Sequence, residues 1–314
     1  MMKKAIILVT WLFLLSAWGC VREQNYDCPQ KTQENTTVLF SLEDGSKNQI
    51  LLSTLDHISL FLYGPNGKQM LRRNISKGEL NLFSGVRLTL DPGTYTIVAW
   101  ANHTNTYTRF LTNDDRPYLE QANNYLLTAI TANGKVVNGD PLYFAPKTKG
   151  VPLTVTVPTT GSVEVTAPFR NAHIKLEVTV EGYQNAPAPA TDPLTIELTN
   201  ITSRYSFGLG PHGDRVSYVG SAPLLDAQNK IFRRLFNVPL FDKNTPTYIH
   251  VTNSAGQLID APVSLKDLLD DKVNLEEILY LPIRIIFTEE NGQLKVAVVV
   301  DLPEWKEGQV KPNI

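Results

Sequence analysis

From Val38 onward this chain repeats one pattern, in which short runs of apolar or alternating residues are cut off again and again by turn-forming clusters. The strongest run emerges from Asp91-Pro92-Gly93, a turn signal, and reads Thr94-Tyr95-Thr96-Ile97-Val98-Ala99-Trp100. In a strand, Tyr95, Ile97 and Ala99 share one face while Thr96, Val98 and Trp100 share the other. Both faces carry apolar side chains, which predicts a strand in the middle of its sheet. Residues 58–63 (ISLFLY) form a second clear run, closed by Gly64-Pro65-Asn66-Gly67. Residues 174–180 alternate cleanly, with Ile174, Leu176, Val178 and Val180 facing a core and Lys175, Glu177 and Thr179 facing water. Shorter strands are expected at 38–42, 142–144, 153–157, 163–165, 194–198, 233–238 and 247–251. A terminal hairpin is expected from 281–288 and 293–301, because Glu290-Asn291-Gly292 places Asn-Gly between apolar runs. One helix is expected near 264–272, where Ser264-Leu265-Lys266-Asp267 resembles a capping box and Leu265, Leu268 and Leu269 share a face. Residues 101–127 read as an irregular excursion and 185–193 as a proline-alanine loop.

These elements predict an all-β chain of two antiparallel β-sandwiches, with one short helix in the second. The interruption Pro158-Thr159-Thr160-Gly161 divides them into domains at 37–158 and 162–305, followed by a tail at 306–314. At 314 residues the chain is long enough for two such cores. Its 42% hydrophobic and 19% charged residues exclude a disordered polymer, and a formal net charge of -2 argues against a nucleic-acid binder or a polybasic membrane surface.

The first residues belong to another category. Met1 is followed by Lys3 and Lys4, then by a nearly unbroken apolar stretch from 5 to 18 and by Gly19-Cys20. Basic start, apolar centre and small-residue end are the layout of a secretory signal peptide, here 1–19. The apolar stretch is too short for a span of about 30 Å, so it is not expected to remain as a membrane helix. Leu14-Leu15-Ser16-Ala17-Trp18-Gly19-Cys20 resembles the lipobox of bacterial lipoproteins and departs from it at Ala17 and Trp18. Cys20 is therefore the expected lipidation site, the alternative being a plain secretory signal with Cys20 as an incidental thiol. Residues 20–36 are polar and aperiodic, as a tether between lipid and first strand should be. Only Cys20 and Cys28 are cysteines. If Cys20 is acylated, no disulfide within the chain can staple the fold, and stability must come from core burial.

No constellation of catalytic residues emerges. His57, His103, His173, His212 and His250 are scattered singly, with no pair at metal-ligand spacing. His57 and His173 are expected to be strand-end or surface residues. There is no Gly-x-Ser-x-Gly elbow, and the segment Gly208-Leu209-Gly210-Pro211-His212-Gly213 lacks the Lys-Ser/Thr of a phosphate loop. Asn113-Asp114-Asp115 and Asp270-Asp271 read as solvated turn and helix-end charges, with calcium binding as the alternative. Tyr107, Phe110, Tyr118 and Tyr125 fall in the excursion, where a sugar-binding loop would expose rings. No cofactor, metal or enzymatic activity is expected.

Three segments in order carry a resemblance. Cys20-Val21-Arg22-Glu23 with Asp27-Cys28-Pro29, then the strand from Asp91 to Asn102, then Pro168-Phe169-Arg170-Asn171-Ala172-His173-Ile174-Lys175-Leu176, are together similar to the FimB/Mfa-type fimbrial anchor family of Bacteroidetes. The resemblance implies two transthyretin-like sandwiches and a lipid on Cys20 that holds the protein on the outer membrane, exposed at the surface. It further implies a role as a type V pilus subunit that anchors the fibre and limits its length, with the major fimbrial subunit as partner through strand exchange. In such exchange the unpaired backbone groups of a sheet edge gain a full ladder from a neighbour's strand. By position, the candidate exchange segments are the first strand (38–42) and the tail after Trp305. A different function is left open by the residues, that of a surface glycan-binding lipoprotein or adhesin.

Overall fold

The computed structural model describes residues 33–42, 53–110, 126–128, 133–145, 153–183, 194–206, 211–242, 244–253, 256–257, 262–269, 275, 278, 280–291 and 293–301. The chain is mostly β. In order its elements are β1 (Thr36–Leu42), β2 (His57–Tyr63), β3 (Gln69–Ser76), α1 (Lys77–Leu82), β4 (Gly85–Leu88) and β5 (Gly93–Ala101). The excursion contributes β6 (Thr108–Phe110), β7 (Leu126–Thr128) and β8 (Lys135–Val136), followed by β9 (Tyr143–Ala145), β10 (Leu153–Val157) and β11 (Val163–Asn171). Then come β12 (His173–Glu181), β13 (Leu194–Tyr205), β14 (Pro211–Ala222), β15 (Leu224–Asp226), β16 (Ile231–Pro239), β17 (Tyr248–Asn253), β18 (Gly256–Gln257) and β19 (Val263–Ser264). The last elements are α2 (Leu265–Leu268), β20 (Tyr280–Glu290) and β21 (Gln293–Val300).

The strands form three sheets, one of which is curled strongly into a half-barrel. The first runs β3-β2-β5-β9-β11-β1-β4, with β10 also on β5. The second runs β15-β16-β12-β20-β21. The third runs β18-β17-β13-β14-β8, with β19 on β17 and with β7, which carries β6, on β13. As expected, β5 is interior, paired with β2 on one edge and with β9 and β10 on the other. Its faces serve two cores. Ile97, Ala99 and Ala101 join Ile58, Leu60 and Leu62 in one buried cluster, while Val98 and Trp100 join Phe61 and Tyr63 in the other. The alternation along β12 also holds, since Ile174, Leu176, Val178 and Val180 are all fully buried.

Pairing differs from the expected all-antiparallel sandwiches with a single helix. The sheets are mixed: β1 runs parallel to β11, β12 to β20 and β14 to β8. Such partners are distant in sequence, and periodicity along one strand does not encode a neighbour's direction. Pairing also crosses the Pro158–Gly161 interruption. Strand β11 completes the first sheet through β1, and β6, β7 and β8 belong to the third. A second helix, α1, lies in the first half. Its N-cap Ser76 and Glu79 form a reciprocal capping box, with the Ser76 N–H donating to Glu79 Oε2 at 2.8 Å and the Glu79 N–H to Ser76 Oγ at 3.3 Å. The expected helix at 264–272 is α2, capped by the Ser264 hydroxyl, which accepts from the Asp267 N–H.

Candidate functional site: the sheet edges and the contact between halves

In a chain built of sheets, the groups free to act are the edges and whatever holds the sheets together. Strand β1, one of the two expected exchange segments, is not an edge. It carries β11 on one side and β4 on the other, and Val38 and Phe40 are buried beneath it. The other segment, after Trp305, lies outside the described residues, as do Cys20 and Cys28. Strands β3 and β4 are the edges of the first sheet. Strand β3 is blunted by charge, as edge strands commonly are. Arg72 lies 5.4 Å from the Phe61 ring centre and 5.6 Å from that of Phe110, and Arg73 pairs with Glu79 at 3.2 Å. The Ser76 backbone N–H and hydroxyl, with help from Arg73, hold the Glu79 carboxyl below its usual range.

The histidines are less scattered in space than in sequence. His57 at the start of β2 meets His103, just after β5, ring to ring at 4.9 Å. The Ser59 hydroxyl donates to Asn74 Oδ1 at 2.8 Å and therefore accepts from His103 Nε2 at 2.7 Å. Burial, then the neighbouring His57 and Arg72, push the His103 imidazole down to about 4. Ser59 is fully buried, so this serine–histidine contact is closed to any substrate. His173 is buried rather than at the surface, with Nδ1 donating to the Leu142 carbonyl at 2.9 Å, and burial likewise pushes it to about 4. Both side chains act as neutral core groups. Among the described residues no three His, Cys, Asp or Glu side chains gather as a metal site. The acidic doublets at 114–115 and 270–271 lie outside the described residues.

A strap formed by residues 135–142 ties the halves together. Asp140, buried, accepts from the Thr104 and Thr108 N–H groups, each at 3.0 Å, and from the Thr104 hydroxyl at 2.7 Å. Asn138 Oδ1 accepts from the Asn237 N–H of β16 at 2.7 Å, and Arg234 donates to the Val137 carbonyl at 3.1 Å. The strap approaches β16 so closely at Gly139 that a Cβ there would lie 2.5 Å from the Asn237 carbonyl oxygen. Beneath it, Trp100 packs against Phe144 at 4.7 Å and Tyr205 at 5.8 Å between ring centres. The Tyr205 hydroxyl donates to the Ala172 carbonyl at 2.8 Å, which ties β13 to the start of β12. None of these partners is close in sequence, so only the apolar second face of β5 signalled the contact.

Of the rings considered for sugar binding, Phe110 is buried against Phe61 and His103, and Tyr107 is 36% exposed. Tyr118 and Tyr125 lie outside the described residues.

Mixed sheets around two apolar clusters define a β-rich protein, and comparison with known proteins fixes the family. Residues 25–311 match the family of Fimbrillin-A associated anchor proteins Mfa1 and Mfa2, and the chain belongs to that family. Its members are structural, non-enzymatic proteins that associate with fimbrial subunits at the cell surface. The fold is similar to that of the fimbrial anchor protein Mfa2 from Porphyromonas gingivalis, at 15% identity and a TM-score of 0.63, over 85% of this chain and 96% of that one. It is equally similar to a candidate polysaccharide-binding protein from Bacteroides thetaiotaomicron, at 15% identity and a TM-score of 0.63, over 86% and 96% of the two chains. A candidate adhesin from Bacteroides ovatus matches at 12% identity and a TM-score of 0.64, over 86% and 93%. A comparison with curated proteins finds no match.

Proposed function

We propose that this protein is a lipid-anchored subunit of a type V pilus that fixes the fibre to the outer membrane and limits its length. The observation that carries the reading is the family match over residues 25–311, which begins five residues beyond Cys20, the end of a lipobox-like segment. The similarity in fold to a fimbrial anchor protein supports it. In this reading Cys20 carries the acyl chains. Each buried methylene contributes about 0.8 kcal/mol, so more than one chain makes attachment stable. The body it holds is two transthyretin-like sandwiches, 37–158 and 162–305. Each sandwich borrows from the other, since β5 buries Val98 and Trp100 in the cluster of the second and β11 buries Ala167 and Phe169 in that of the first, and the strap bridges them. The major fimbrial subunit binds by strand exchange, and the tail after Trp305 reaches the neighbouring subunit.

Fibre morphology tests this. In cells carrying Cys20→Ala, fibres are expected in the medium, with a broader length distribution under electron microscopy. Fibres of unchanged length that remain on the cell would overturn the reading. Deleting residues 306–314 is expected to detach fibres while leaving the lipidated protein in the membrane. Normal attachment after that deletion removes the tail from the mechanism.

A further inference from the structure

Sheet edges are sites of unplanned association, and proteins shorten, bulge or charge them. Nearly every edge among the described residues follows that rule. Strand β4 is short, β15 is short and bulged, β8, β18 and β19 are each two residues long, and β3 carries Arg72 and Arg73. The exceptions are β10, whose five residues Leu153–Val157 pair among the described residues with β5 alone, and the longer β21. Strand β21 is eight residues long, pairs with β20 in unbroken register from Ile283↔Val300 to Glu290↔Gln293, and has no strand on its other side among the described residues. Its sequence lacks proline and glycine and is dominated by valine, with Val296 37% and Val299 36% exposed. By itself an edge of this composition is a pairing template.

The charges at its two ends indicate the partner. Residues 295–301 read Lys-Val-Ala-Val-Val-Val-Asp, positive at one end, negative at the other and apolar between. Laid antiparallel against a second copy about a two-fold axis at Val298, each Lys295 falls opposite the other copy's Asp301. Val296 then faces Val300, and Ala297 faces Val299. Directly opposed residues in an antiparallel pair point to the same face. Hence Lys295, Ala297, Val299 and Asp301 would line the outer face, while Val296, Val298 and Val300 would extend the inner one, where Val298 and Val300 already pack on the core. Lys295 and Asp301 are about half exposed and rest on Glu290 and Arg284 of their own chain, so both can bridge across the axis. We infer that β21 is a two-fold pairing edge for a second copy of this chain, joining two five-stranded sheets into one continuous sheet.

Sedimentation of the full chain in detergent over a range of concentrations tests this. A reversible dimer is expected, with the outward amide protons of Val296, Val298 and Val300, which do not bond β20, exchanging more slowly as concentration rises. K295D and D301K should each weaken association by about tenfold, since each places like charges directly opposite twice per dimer. The double variant K295D/D301K should restore it. The clashes these changes create with Glu290 and Arg284 persist in the double variant, so recovery reports only the contact between copies. Thermal melting confirms that each variant is folded. A chain that stays monomeric at every concentration overturns the inference, and so does a dimer indifferent to the single variants or not restored by the double one. Protection of the outward amides of Val296, Val298 and Val300 that persists in the monomer also overturns it, because it assigns that edge to the chain's own tail or to a bound fimbrial subunit.

Discussion

The residues that matter most singly are those whose chemistry the fold has altered. His103 and His173 are held neutral by burial at about 4, against an ordinary 6.5. The sign of the consequence is fixed. As pH falls from about 6.5 toward about 4, the unfolded chain binds protons that the native imidazoles refuse, so stability drops across that window and the histidine contribution levels off below it. Urea midpoints at pH 7 and pH 4.5 should differ less in His173→Gln than in the unaltered chain; an equal difference would show that carboxylates alone set the acid slope. At Gly139 the constraint is steric. Because a Cβ there would collide with the backbone carbonyl of Asn237 and not with a movable side chain, Gly139→Ala should cost about 1–3 kcal/mol, read from the urea midpoint. An unchanged midpoint would mean the strap docks loosely. Neither constraint was legible in the sequence, where Gly139 lies in an ordinary loop and His173 in an alternating strand.

At the scale of elements, legibility followed how far each pattern depended on its own residues. Strands β5 and β12 and the β20–β21 hairpin were readable because Tyr95 to Trp100, Ile174 to Val180 and the Asn291-Gly292 turn carry their signals locally. Strand β3 was not, since Met70, Leu71, Arg72, Arg73 and Asn74 lack alternation, as an edge strand with little buried surface can. Strand β14 begins in the glycine-rich stretch 208–213, which carries no alternating pattern. Helix α1 was missed although Ser76 and Glu79 stand at capping-box spacing, because Gly78 and its short length weaken the helical pattern. That cap is testable: Ser76→Ala should destabilise the protein by about 1 kcal/mol in chemical denaturation. The loss should shrink in a Glu79→Ala background, where the reciprocal bond is already gone; additive losses would show that the two groups act separately. The parallel partnership of β1 with β11 had no local signal at all.

For the molecule as a whole, the second face of β5 determines how the halves behave. Trp100 and Val98 bury into a cluster shared with β12, β13 and β16, and the strap adds polar contacts to both sides. The halves should therefore unfold together. Trp100→Ala is expected to cost about 3–5 kcal/mol and to shift one cooperative transition instead of splitting it; two separated transitions in the unaltered chain would show that the halves are independent. A body that unfolds as one unit suits the proposed role, in which a load on the fibre passes through it to its attachment point. That attachment is the central claim, and it rests on one residue. Intact-mass analysis of the protein taken from its native outer membrane addresses it directly. The account predicts a mature chain that begins at Cys20 and carries the added mass of acyl chains, with the Cys20→Ala form absent from the membrane. A chain with an unmodified Cys20, or one still retaining residues 1–19, would contradict it.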